Sequence, residues 1–176
     1  MNVIIKKAAL AAALATVSTS AFAIDAHITV YANVDATLAF QKEDGSALPD
    51  SVQLDYLPGI GLRPWKENTR IFSNDESKDI EVKLGSDLEL RPTLGNPGAR
   101  PVPMTVILNG MTLTTAAQDL KATDIFDGAV QGRSIMLPLS LEQTTQGEIV
   151  AGDYDGMAVI VMARKATRWM VHSAHQ

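Results

Sequence analysis

Ile28-Thr29-Val30-Tyr31-Ala32-Asn33-Val34 is the stretch on which the fold turns. Apolar and polar residues alternate through it. Side chains on a strand point to opposite faces with a period of two, so Ile28, Val30, Ala32 and Val34 share one face. No proline lies between 24 and 48, so every backbone N–H there can join a ladder. Such a segment serves equally well as the first strand of its own domain or as a strand offered to another chain. Periodicity alone does not separate the two.

Upstream lies MNVIIKKAALAAALATVSTSAFA, residues 1–23. Lys6 and Lys7 precede an apolar run from Ala8 to Val17, and Ala21-Phe22-Ala23 has the small-x-small form of a cleavage site. This is the pattern of a secretory signal peptide. The alternative, a membrane anchor, fails on length. Ten apolar residues make a helix of about 15 Å, against a hydrocarbon core about 30 Å thick. Cleavage leaves a chain beginning at Ile24, with no later apolar run long enough for stable membrane insertion.

Downstream, short apolar runs recur between turn residues. Strands are expected near 37–41, 52–57, 69–73, 79–84, 104–108, 111–115, 134–141 and 154–162. Asn109-Gly110 between MTVIL and MTLTT predicts a tight hairpin, because the pair favours the positive φ values of a type I′ turn. Seven of the eight prolines fall between Pro49 and Pro103 and argue against long helices. Only Thr115–Thr123 has the composition of a short helix. Many short strands without a repeat or a change of composition suggest one antiparallel β-sandwich domain.

Charge and chemistry exclude more than they suggest. The 176 residues carry a net charge of −5 and no basic stripe, so nucleic acid is a poor partner. With no cysteine there are no disulfides, thiolate metal sites or thiol nucleophiles. The three histidines are His27, His172 and His175, which leaves little material for a catalytic or metal centre. Asp153-Tyr154-Asp155-Gly156 resembles the start of a calcium loop, but no closing carboxylate follows. It reads better as a turn into a buried strand. Asp75, Glu76 and Asp79 read as a solvated turn, and Asp124 with Asp127 lack a partner histidine. Trp65 reads as packing against a sandwich edge, with stacking on a sugar as its functional alternative. No catalytic residue, cofactor or metal is expected.

Several short stretches, in order and at consistent spacing, carry a resemblance. They are Ile28-Thr29-Val30 with Ala32 and Val34-Asp35; Asp44-Gly45; Ala47-Leu48-Pro49; Leu54, Tyr56 and Pro58; Asn74-Asp75; Val82-Lys83-Leu84; Pro103, Met104 and Val106; Leu113-Thr114-Thr115; and Ala151-Gly152 with Tyr154, Gly156 and Val159. In these the chain resembles the major subunits of colonisation factor antigen I type (alpha-class) fimbriae, built by the alternate chaperone–usher pathway of Gram-negative bacteria.

That resemblance implies an all-β fold: an incomplete immunoglobulin-like β-sandwich lacking its final strand, with an N-terminal donor-strand extension. The expected layout is a signal peptide at 1–23, the extension at 24–35, the pilin domain at 36–162 and a basic C-terminal tail at 163–176. It implies a fimbrial shaft subunit, exported through the periplasm to the cell surface and polymerised by donor-strand exchange, supporting adhesion and colonisation. Ile28, Val30, Ala32 and Val34 would be the donor side chains. Implied partners are other copies of the chain, a periplasmic chaperone, an outer-membrane usher and a tip adhesin. Two departures stand out. Ala36 occupies a position where such subunits often carry proline, and the chain runs on past the usual last strand. That tail is open to three readings: disorder, extension of the last strand, or a shifted reading frame. The competing functions are a monomeric secreted carbohydrate-binding module using Trp65, and a secreted enzyme with an unrecognised site.

Overall fold

The computed structural model describes residues 38–93 and 98–165 in full and residues 26–33 through their backbone pairing. In chain order the elements are β1 (Ala26–Asn33), β2 (Leu38–Lys42), β3 (Val52–Leu54), β4 (Tyr56–Leu57), β5 (Gly61–Leu62), β6 (Trp65–Ser73), β7 (Ile80–Leu84), β8 (Glu89–Pro92), β9 (Val102–Leu108), β10 (Met111–Thr112), β11 (Gln118–Leu120), α1 (Ala122–Ile125), β12 (Leu137–Gln143) and β13 (Tyr154–Arg164). The all-β expectation holds.

The strands pair as two groups joined through β8. One runs β11-β7-β13, with β1 and then β3 on the far side of β13; the other runs β9-β12-β6-β2, with β10 closing a hairpin on β9. Near its start β8 pairs with β9 (Leu90 opposite Val102), and near its end with β13 (Asp155 opposite Arg91). The Cβ that any other residue would carry at Gly156 would run into the Glu89 carbonyl oxygen, so β13 comes this close to β8 only with glycine there.

Alternation builds the interior. β12 buries Leu137, Leu139 and Leu141 completely, β9 buries Val102, Met104, Val106 and Leu108, and β7 buries Ile80, Val82 and Leu84. With Tyr154, Ala158, Ile160 and Met162 of β13 they form a single core. Each fully buried leucine contributes about 1.5–3 kcal/mol. The buried polar residues Thr69, Ser73, Ser134 and Gln143 each have a partner. Ser134 accepts from the Ile71 N–H through its hydroxyl at 2.9 Å, and Gln143 accepts from the Leu62 N–H at 3.0 Å, tying β5 to β12.

The predicted turn at Asn109-Gly110 is present, with φ of 49° and 78°, and Met111 pairs back to Leu108. Other expectations need correction. The stretch read as a helix at Thr115–Thr123 contains β11, which pairs with β7, and the helix is a single turn at Ala122–Ile125. Tertiary pairing against β7 outweighs the local helix preference of TAAQDLKAT. β8 is missed because Glu89–Pro92 is short and half polar. Finally, β13 runs through Ala163 and Arg164, two residues past the strand expected over 154–162.

Candidate subunit-joining site

The site is the slot between β13 and β3. Val52 and Leu54 of β3, and Ala158, Ile160 and Met162 of β13, are buried and belong to the core. Among the described residues no later strand follows β13 to fill the slot, and β1 lies in it. β1 runs parallel to β13 over eight residues, from Ala26 opposite Tyr154 to Asn33 opposite Val161. On its other side it pairs antiparallel with β3, from Ala26 opposite Leu54 to Ile28 opposite Val52.

Register places the expected donor residues. Ile28, Val30 and Ala32 stand opposite Gly156, Ala158 and Ile160. Partners in a parallel ladder share a face, and Ala158 and Ile160 are wholly buried. The three residues therefore occupy core-facing positions of the ladder. Val34 lies outside the described residues. The sequence reading expects this groove to be filled from another chain; here the chain's own leading strand fills it.

The wall formed by β13 is fastened at both ends. At its start the Tyr154 hydroxyl donates to the Val150 carbonyl at 2.8 Å, and burial pushes its pKa up. In its middle the Gly85 N–H donates to the Val159 carbonyl at 2.8 Å. At its end Arg164 donates to the Asn74 side chain at 2.9 Å, and the Lys165 N–H donates to the Asp79 carbonyl at 2.9 Å. The Lys165 ammonium meets Asp119 at 2.6 Å. Ala163, Arg164 and Lys165 of the basic tail are thus part of the folded body.

The acidic cluster read as a solvated turn does structural work at the same end. Asp79 accepts from the Lys121 ammonium at 2.8 Å and from the Ala122 N–H at 2.9 Å. The Lys121 hydrogen bond first, then the backbone one, hold its carboxyl below the usual aspartate value, and Asp79 in turn raises Lys121. Asp75 accepts from both the hydroxyl and the N–H of Ser77, and these bonds lower its pKa. Glu76 accepts from the Gly132 N–H. The sequence offered no signal for these long-range partners.

The other candidates are accounted for locally. Trp65 opens β6, half-buried against the core, which favours packing over sugar stacking. The Asp127 carboxylate accepts from the Ala129 N–H within its own turn. Asp153-Tyr154 leads directly into β13, as the turn reading expects. A depression of about 600 Å³ over β8 and the start of β13 is lined by Asp87, Glu89, Arg91, Asp155 and Met157, among others, and Arg91 lies 3.4 Å from Glu89. Among the described residues no group of three or more His, Asp or Glu is arranged to hold a metal ion.

Comparison with known proteins agrees with this architecture. The chain is 33% identical to a CS1 fimbrial subunit of Escherichia coli over 169 residues, covering 91% of this chain and 98% of that one. It is 33% identical to a CFA/I fimbrial subunit of Escherichia coli over 165 residues, covering 89% and 96%. The solved CooA pilin from enterotoxigenic Escherichia coli shares the fold with a TM-score of 0.55 at 24% identity, covering 71% of this chain and 97% of that one. The family model described as the CS1 type fimbrial major subunit matches residues 24–163, starting at the residue after the expected cleavage site. The chain therefore belongs to the CS1 type fimbrial major subunit family.

Proposed function

We propose that this chain is a shaft subunit of a surface fimbria and that copies join by exchanging leading strands. In this reading the segment 24–35 of one copy enters the slot between β13 and β3 of the next. Ile28, Val30, Ala32 and Val34 fill the core positions while the backbone completes the sheet. This is strand addition between chains. The carrying observation is that the place beside β13, between β13 and β3, is taken by the chain's own leading strand. An emptied slot exposes a sheet edge and buried apolar walls, both of which drive association. A copy whose slot is empty therefore needs a partner to cover it. This supports a periplasmic chaperone and an outer-membrane usher as partners, with a separate tip adhesin on the finished fibre.

Three buried anchors of the size of Ile28, Val30 and Val34 contribute roughly 5–9 kcal/mol before ordering costs. The test compares the chain from Ile24 with a version carrying residues 24–35 on a linker after the last residue instead. Concentrated and incubated, the first should form ladders that survive detergent without heating. The second should remain a stable monomer. A first version that stays monomeric at every concentration, even when refolded at high concentration, would overturn the reading.

A further inference from the structure

The direction of β1 follows from its tether. β2 begins at Leu38, opposite Ser73 of β6. The next residue, Asn74, is held by Arg164 at the end of β13. The body of the domain thus receives the chain at the Arg164 end of the slot. From Asn33 to Leu38 there are five Cα–Cα steps, which reach about 16–18 Å when fully extended. The ladder from Tyr154 to Val161 is about 23 Å long. Inserted the other way, β1 would leave Asn33 at the Tyr154 end, beyond the tether's reach. A segment from a separate copy has no such restriction. It is free to take the antiparallel ladder, which is more stable per residue.

The parallel register is also matched in size. The largest of the three β1 residues, Ile28, stands opposite Gly156; Val30 stands opposite Ala158; and the smallest, Ala32, stands opposite Ile160. By residue type, the paired positions run from large to small along β1 and from small to large along β13.

We propose that each subunit closes its own slot with its leading strand parallel to β13, an orientation the short tether enforces, and that this closed monomer competes with assembly. Closure stands on the geometry above; its role as a competitor rests on the strand-exchange reading. A short tether supplies an effective concentration in the millimolar range, so a neighbour's strand at micromolar concentration enters only after β1 leaves. Thr29–Asn33 pair with β13 alone, whereas Ala26–Ile28 are held from both sides. Departure begins at the singly held end.

The test uses the absence of natural cysteine. Thr29 and Met157 are register partners, and Met157 is 49% exposed. The chain from Ile24 carrying Thr29→Cys and Met157→Cys is oxidised and run without reductant. An intrachain disulfide is expected, with a yield unchanged over about a hundredfold dilution. The oxidised chain should stay out of ladders and re-enter them on reduction. Crosslinks only between chains, or none, would overturn self-closure. A measurement without substitutions guards against misfolding: amide hydrogen exchange on the isolated monomer should show Ala26–Asn33 protected, and unprotected exchange there overturns the proposal. An intrachain disulfide in a chain that never concatenates after reduction supports closure and overturns strand exchange. Ladders without intrachain crosslinking or protection do the reverse.

Discussion

Ile28 stands opposite Gly156 in the parallel ladder of β1 and β13. Gly156 itself is held against the backbone of β8, where a side chain would meet the Glu89 carbonyl oxygen. One glycine thus serves two neighbours. Gly156→Ala should destabilise the domain by about 1–3 kcal/mol, the usual cost of forcing atoms into a packed place. Thermal unfolding of the variant and the parent measures it.

The two faces of β1 should differ sharply. Val30→Asp puts a carboxylate at the core-facing position beside Ala158, where an unpaired charge costs several kcal/mol. Tyr31→Asp places the same charge opposite Val159, on the other face. Detergent-resistant ladders should disappear with the first substitution and largely survive the second. Equal loss from both would contradict the period-two reading of the segment.

Gly110 has φ of 78° in the hairpin that joins β9 to β10. Gly110→Val forces a β-branched residue into the left-handed region and should cost at least about 1 kcal/mol. Nothing lies within 4 Å of the added Cβ position, so the penalty belongs to the backbone rather than to a clash. Denaturant unfolding reads it as a lower midpoint at unchanged slope.

Acid should loosen the end of β13 through Asp79. Its folded pKa lies below the ordinary value of 3.8, held down first by the Lys121 hydrogen bond. Its stabilising contribution is complete above that ordinary value and is lost as pH falls through the lower folded one. The melting temperature of Asp79→Asn should therefore fall less steeply in acid than that of the parent. The pair is exposed, so added salt should narrow the difference at neutral pH.

What the sequence shows of this fold is what local periodicity can carry. Ile28 to Asn33, Ile80 to Leu84 and Met104 to Leu108 alternate cleanly, and each is a strand. Asn109-Gly110 encodes its own turn. Gln118–Leu120 is hidden because three residues have no period of their own and depend on β7 for their conformation. Of the slot, the alternation of Ile28, Val30 and Ala32 in the leading strand is legible in the sequence. The wall formed by β3 is three residues long and the complement Gly156-Met157-Ala158 is visible only once the register is known, so neither announces itself. The parallel direction of β1 depends on where Leu38 sits in three dimensions, which no pattern in 26–33 specifies.

The long side-by-side contact along β13 has a mechanical consequence. A strand lying against eight consecutive residues, pulled along its length, loads all of its hydrogen bonds in shear at once instead of peeling them one after another. Because β8 reaches from β13 to β9, tension entering at β13 is handed to the second sheet within four residues. The closed subunit, pulled on its leading strand, would therefore resist opening along the whole length of β13 at once.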